Sequence, residues 1–126
     1  MKISSLSQVV LFVPEMKPAI EFYRDILGLK VLTPSDPSLL PEAQWVEFET
    51  GACTLCLHTA PGSSQGPDAP QVVFEVSDLD GMRRELIRRG VAMGAIRTPG
   101  PGVTLCTGED PFGHTFSLTA VNRLEL

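Results

Sequence analysis

No run of apolar residues in the 126-residue sequence approaches the ~20 needed to cross a bilayer as a helix. That excludes a helical membrane span. Basic charge is scarce as well: ten Lys and Arg stand against fifteen Asp and Glu, a formal charge of −5. Nucleic-acid binding needs a basic surface that displaces counterions from phosphates, so this balance disfavours it. The one basic cluster, Arg83, Arg84, Arg88 and Arg89, shares its predicted helix with Asp80 and Glu85 and reads as a solvated face. Cysteine is sparse and odd in number. Cys53, Cys56 and Cys106 cannot all pair within the chain. The opening MKISSLSQVVLFVPEMK has no small-residue cleavage site, and Glu15 interrupts its apolar stretch, so it reads as a strand and not as a signal peptide. Free thiols in a reducing, cytoplasmic compartment are the expectation. Cys53-x-x-Cys56 has no second C-x-x-C, and residues three apart on a strand face opposite ways, which removes a structural zinc site.

What is present fits one small domain of many short elements. Hydrophobic residues make up 43% and charged residues 20%, while eleven Gly and eleven Pro favour turns over long helices. The most informative feature is an internal repeat. Gln8-Val9-Val10-Leu11-Phe12-Val13 returns half a chain length later as Gln71-Val72-Val73-Phe74-Glu75-Val76. An acidic turn follows each copy (Pro14-Glu15-Met16 and Ser77-Asp78-Leu79), then a helical pattern that stops at Gly28 or Gly90. A period of half the chain indicates a duplicated domain and not a solenoid.

The first helix is predicted over Pro18 to Leu27, with Ala19, Phe22, Tyr23 and Ile26 on its buried stripe. The second is predicted to start at Ser77 or Asp78 as N-cap and to bury Leu79, Met82 and Leu86. Strands are predicted at Leu29–Leu32, Trp45–Thr50 and Thr54–Thr59, then at Ala92–Arg97, Val103–Thr107 and Thr115–Thr119. Both halves read βαβββ. The expectation is a single α+β domain over 1–126, built of modules at about 6–60 and 70–122 and joined by a Gly/Ser/Pro-rich linker at 60–70. Thr33 to Glu42 reads as an irregular loop.

One helix per module covers one face of its sheet, so two modules side by side would leave a concave surface without a helix over it. Period-two alternation then assigns the sides. Val9, Leu11 and Val13 should meet the first helix, leaving Gln8, Val10 and Phe12 inward. Val72, Phe74 and Val76 should meet the second, leaving Gln71, Val73 and Glu75 inward. Cys56 and His58 share the inward side with Thr54, and Ser117 shares it with Thr115 and Thr119. Trp45, the only Trp, falls on one side with Glu47 and Glu49. Trp45 either walls a ligand site or plugs the core. His114, after Gly113 in the DPFGH turn, is expected to bond local backbone.

These residues resemble the vicinal oxygen chelate superfamily, which includes glyoxalase I, bleomycin-resistance proteins, fosfomycin-resistance enzymes and extradiol dioxygenases. The matching pieces are QVVLFV with AIEFYRDILGLKV, then WVEFETGACTLCLH, QVVFEVSDLDGMRRELIRRGV and EDPFGHTFSLTA. The resemblance implies paired βαβββ modules forming a concave, partly open barrel, a homodimer, and a ligand in the concavity. It places the metal-ligand positions of the enzymatic members on Gln8, Cys56, Gln71 and Ser117. A divalent metal in such a site wants imidazole and carboxylate, and two amides, a thiol and a hydroxyl stand there instead. Ser117 cannot act as the base of glyoxalase chemistry.

The preferred expectation is a protein without a metal or other cofactor that sequesters a small organic molecule. Gln8, Phe12, Trp45, Cys56, His58, Gln71, Glu75 and Ser117 are the candidate ligand-binding residues. Aromatic walls beside carboxylates suit an aromatic or cationic ligand. Two alternatives stand beside it: a lyase, isomerase or dioxygenase using a non-standard metal site or a Cys56–His58 pair, and a dimerisation or regulatory domain with a filled cavity.

Overall fold

The computed structural model describes residues 6–64 and 69–121. Residues 65–68 of the predicted linker and residue 122 at the end of the second predicted module lie outside the described residues. The chain divides into two compact units, Met1–Ser64 and Gln65–Leu126.

In the first unit, strand β1 (Gln8–Val13) leads into helix α1 (Met16–Ile20), which continues as a π-helical segment, Glu21–Ile26. Strand β2 (Lys30–Thr33), a 3-10 helix (Pro37–Glu42), β3 (Trp45–Glu49) and β4 (Thr54–Thr59) follow. The sheet order is β1-β4-β3-β2, with β1 parallel to β4 and the remaining pairs antiparallel. Parallel pairing of the first and last strands requires a crossover, and the helix supplies it. The second unit repeats the plan. Strand β5 (Val72–Glu75), helix α2 (Leu79–Arg88), β6 (Arg97–Gly100), β7 (Val103–Glu109) and β8 (Thr115–Val121) form a sheet ordered β5-β8-β7-β6. Two four-stranded mixed sheets, each with its helix, make the predicted α+β pair of βαβββ modules.

Alternation assigns the helix-side residues correctly. Leu11, Val13, Leu55, Leu57, Val46 and Phe48 are buried in the first unit, together with Ala19, Ile20, Phe22 and Tyr23 of the helix. The Tyr23 ring lies 6.1 Å from that of Phe48, which identifies the side of β3 facing the helix. In the second unit Leu79, Leu86, Val91, Phe116 and Leu118 are buried, and Phe74 packs 6.4 Å from Phe116.

Several element ends differ from the sequence-based expectation, each for a local reason. Helix α1 begins at Met16, so Pro18 falls in its first turn, where a missing N–H costs nothing. Its π-helical end closes when Leu27 N bonds Phe22 O at 2.9 Å and Leu29 N bonds Tyr23 O at 2.9 Å, across Gly28 at φ 80°. Holding Leu29 in that cap moves the start of β2 to Lys30. The Thr33–Glu42 loop contains a 3-10 helix because Asp36 caps Ser38 N at 3.0 Å, with Pro37 at the first position. Strand β6 starts at Arg97 and not Ala92. Gly94 is engaged on both sides, its N–H donating to Thr107 O at 2.8 Å and its carbonyl accepting from Arg83 Nε at 2.8 Å. Only Met93 keeps a bridge, to Gly108.

The DPFGH turn closes on a carboxylate. Asp110 Oδ1 accepts from the backbone N–H groups of Phe112 and His114, both at 2.9 Å, and Asp110 Oδ2 lies 2.7 Å from His114 Nδ1. His114 therefore bonds the Asp110 side chain where local backbone was expected. Both side chains are buried. Hydrogen bonds to a charged group contribute roughly 1.5–3 kcal/mol each, and buried donors left without a partner add a desolvation penalty. Asp110→Ala is expected to destabilise the protein by about 3 kcal/mol in chemical denaturation, and a loss within 0.5 kcal/mol would show the turn to be held by other means.

Candidate functional site

The side of the first sheet turned away from Tyr23 and Phe48 carries three rows of side chains, fixed by strand register. Phe12, His58 and Trp45 occupy one row across β1, β4 and β3. Val10, Cys56, Glu47 and Thr33 occupy the next, and Gln8, Thr54, Glu49 and Lys30 the third. All five candidate residues of this unit (Gln8, Phe12, Trp45, Cys56 and His58) therefore share one side.

The first row is aromatic. The His58 ring stands 5.5 Å from Phe12 and 5.8 Å from Trp45, the latter edge-on. Phe12 is 48% exposed and His58 is exposed, while Trp45 is half-buried. Trp45 thus lies between a wall and a plug: one part packs and the rest remains at the surface. Its indole N–H donates to Glu47 Oε2 at 2.9 Å, and Thr33 Oγ1 donates to Glu47 Oε1 at 2.9 Å. Thr33 was absent from the candidate set. Its link to Glu47 crosses a register irregularity between Val31 and Thr33, which leaves no trace in hydropathy.

The middle row is closed at its centre. Cys56 is 0% exposed, and its thiol contacts Gln8 Oε1 at 3.5 Å and Thr54 Oγ1 at 3.6 Å. Burial pushes the Cys56 thiol above its ordinary value, and the nearby Glu47 and Cys53 add to that against the Thr54 hydroxyl. Its partners in hydrogen bonding are an amide and a hydroxyl, not the imidazole of His58. A protonated, covered thiol is a poor nucleophile. Burial likewise raises Cys106 in the second unit.

In the second unit, Ser117 lies between Val73 of β5 and Thr107 of β7, and Glu75 pairs with Thr119 one row further. Gln71 precedes β5 and is exposed, as are Glu75 and Val73, the last at 56%. Ser117 is only 4% exposed, and its hydroxyl is engaged with Thr107 Oγ1 at 2.9 Å. So Ser117 and Glu75 occupy neighbouring rows on the side of the sheet predicted for them, with Gln71 at the strand's entrance. Among the described residues, no group of three His, Cys, Asp or Glu side chains could hold a metal ion. Among the same residues, no helix is long and apolar enough to cross a membrane.

The thiol environments make a direct test. Iodoacetamide at pH 8 is expected to alkylate half-exposed Cys53 in the native protein and to reach Cys56 and Cys106 only on unfolding, as read by peptide mass mapping. Modification of native Cys56 as fast as Cys53 would contradict the burial of its sulfur.

Comparison with known proteins gives this geometry a family. Among curated proteins, none matches the sequence. Solved structures do match in fold. The fosfomycin resistance protein FosX from Listeria monocytogenes superposes with a TM-score of 0.79 at 20% identity, covering 98% of each chain. A glyoxalase/dioxygenase from Nostoc punctiforme gives 0.77 at 19% identity, covering 95% of this chain and 92% of that one. A lactoylglutathione lyase from Agrobacterium tumefaciens gives 0.73 at 19% identity, over 95% and 96%. At such identities the likeness carries the fold alone. The sequence itself matches a family model over residues 5–118, and with two βαβββ modules in the expected strand order the chain belongs to the Glyoxalase/Bleomycin resistance protein/Dioxygenase superfamily.

Proposed function

We propose that this protein binds a small organic molecule on the exposed aromatic row of its first sheet and holds it without transforming it. The observation that carries the reading is Phe12–His58–Trp45: three rings side by side, on the sheet side away from the helix, with Phe12 and His58 exposed. A folded protein gains more by burying such rings than by presenting them, so a row of them at the surface fits a planar guest. The reading extends to a cytosolic homodimer.

The family's enzymes imply a metal, and the donor set here does not fit one. Of the four positions indicated by the resemblance, Gln8 and Gln71 offer neutral amides. Cys56 is a buried thiol held above its ordinary value, and the Ser117 hydroxyl is covered and bonded to Thr107. None supplies a carboxylate or an imidazole, the donors that a divalent ion at a two-histidine, one-carboxylate site requires. No proton acceptor suited to work beside such an ion stands at these positions either. We therefore assign no metal-assisted step to the chain.

Binding is testable through the single tryptophan. Planar aromatic compounds are expected to change Trp45 emission and to stabilise the fold with the logarithm of ligand excess, by about 2.7 kcal/mol at a hundredfold excess over Kd, read as a raised melting temperature. Trp45→Ala is expected to weaken that binding by roughly tenfold, the upper end of an aromatic pair's contribution. No response across a broad panel would favour a side chain-filled surface instead. Uptake of one equivalent of zinc, nickel or manganese with submicromolar affinity would overturn the metal-free reading.

A further inference from the structure

We propose that Glu47 selects the guest by charge, admitting a planar ring that bears a cationic nitrogen and disfavouring an anionic one, with Thr33 as its positioning residue. The inference rests on the reading of the Trp45 row as a ligand surface and adds to it the chemical class of the guest.

Glu47 is half-buried, and each of its oxygens accepts one hydrogen bond, from the Trp45 indole and from the Thr33 hydroxyl. Both donors are neutral. They fix the direction of the carboxylate without cancelling its charge. Among the described residues Glu47 forms no ion pair; the pairs present involve Asp25, Asp80, Glu85 and Asp110. Each carboxylate oxygen keeps a second lone pair beyond the bond it already makes. An oriented, half-buried anion without a counter-cation, one row from three rings, is a receptor for positive charge. The ring faces of Trp45 and Phe12 act with it, since a cation is drawn to an aromatic face as well as to a carboxylate.

The duplication supplies an internal control. In the second unit Thr107 stands opposite Ser117 as Glu47 stands opposite Cys56, and Leu105 is two residues before it as Trp45 is before Glu47. The same β7–β8 ladder forms there with Leu and Thr at those places. The fold does not need an indole and a carboxylate to build this hairpin. Trp45 and Glu47 therefore differ together from their counterparts, and a hydrogen bond joins the two.

Three probes built on one ring system test the inference at pH 8: cationic N-methylquinolinium, neutral 4-methylquinoline and anionic quinoline-4-carboxylate, titrated by calorimetry into the intact protein. The expected result is that the cation binds at least about tenfold tighter than the neutral ring, with the carboxylate weakest. Glu47→Gln is expected to bring the cation's affinity down to that of the neutral ring. Thr33→Val is expected to reduce the preference about threefold and to shift Trp45 emission, whereas Thr33→Ser, which keeps the hydroxyl, restores both. Circular dichroism of each variant separates loss of selection from loss of fold. Equal affinity for the cation and the neutral ring in the native protein, or a preference that survives Glu47→Gln, overturns the charge selection and leaves the ligand-surface reading standing. Failure of all three probes to bind overturns both.

Discussion

The parallel pairing of β1 with β4 is the constraint on which the candidate site depends. It joins residues 46 positions apart in register, Phe12 beside His58 and Gln8 beside Thr54, and is possible only because the helix carries the chain back across the sheet. Without that pairing Phe12 would belong to an isolated strand and His58 to the end of a hairpin. With it, the antiparallel β3 adds Trp45 to the same row. The aromatic row is thus a product of topology: three rings from three strands, none adjacent in sequence. Because side chains alternate, the register that buries Leu11, Leu57 and Val46 on the helix side also fixes Phe12, His58 and Trp45 on the other. A slip of one residue would exchange the two sets, so the core enforces the geometry of the surface.

The two modules share this frame and fill it differently. Both bury aliphatic and aromatic residues against their helices. On the opposite side the first carries a row of rings and an oriented carboxylate, whereas the second carries Glu75 and Glu109 among hydroxyls that bond one another or the backbone, with Ser117 bonded to Thr107 and Thr119 Oγ1 donating to Thr104 O at 3.1 Å. Satisfied hydroxyls are quiet: a Ser or Thr whose donor and acceptor are engaged presents little to a ligand. The charged acceptor of Glu47 is different, since two neutral donors leave its charge intact. Duplication has kept the scaffold and let one face diverge in chemistry, which fits the rule that function resides in sites carried by folds.

Most of the fold was legible because it rests on periodicity and on turn chemistry. The repeat of QVVLFV, the glycines at 28 and 90, and Asp78, whose Oδ1 caps Gly81 N at 3.0 Å, mark the elements that formed where expected. Alternation also identified the side of the sheet for the candidate residues that lie within strands, which leaves out Gln71. It could not say how far each would be covered: Cys56 and Phe12 share a side, yet one is sealed and the other is 48% exposed. Depth depends on neighbours across strands, and those follow from register, not from the residue's own segment. The same reason hid Thr33, whose role arises across an irregular pairing. The late start of β6 was hidden because a helix side chain, Arg83, binds the carbonyl of Gly94 from outside the strand.

Glu47 and Glu49 show why position outweighs composition in this site. Both are carboxylates on β3, two residues apart and on the same side. Glu49 is exposed, at the end of its strand, with Lys30 as its ladder neighbour. Two unit charges 4 Å apart attract by about 1 kcal/mol in bulk water and by about 4 kcal/mol at the effective dielectric near a protein surface. A cation arriving at Glu49 meets an exposed carboxylate surrounded by water and salt. One arriving at Glu47 meets a half-buried carboxylate whose orientation has already been fixed by Trp45 and Thr33, so less freedom is lost on binding. The difference lies in the environment and not in the charge, which is why counting acids along the strand cannot distinguish the two, whereas the hydrogen bonds around Glu47 can.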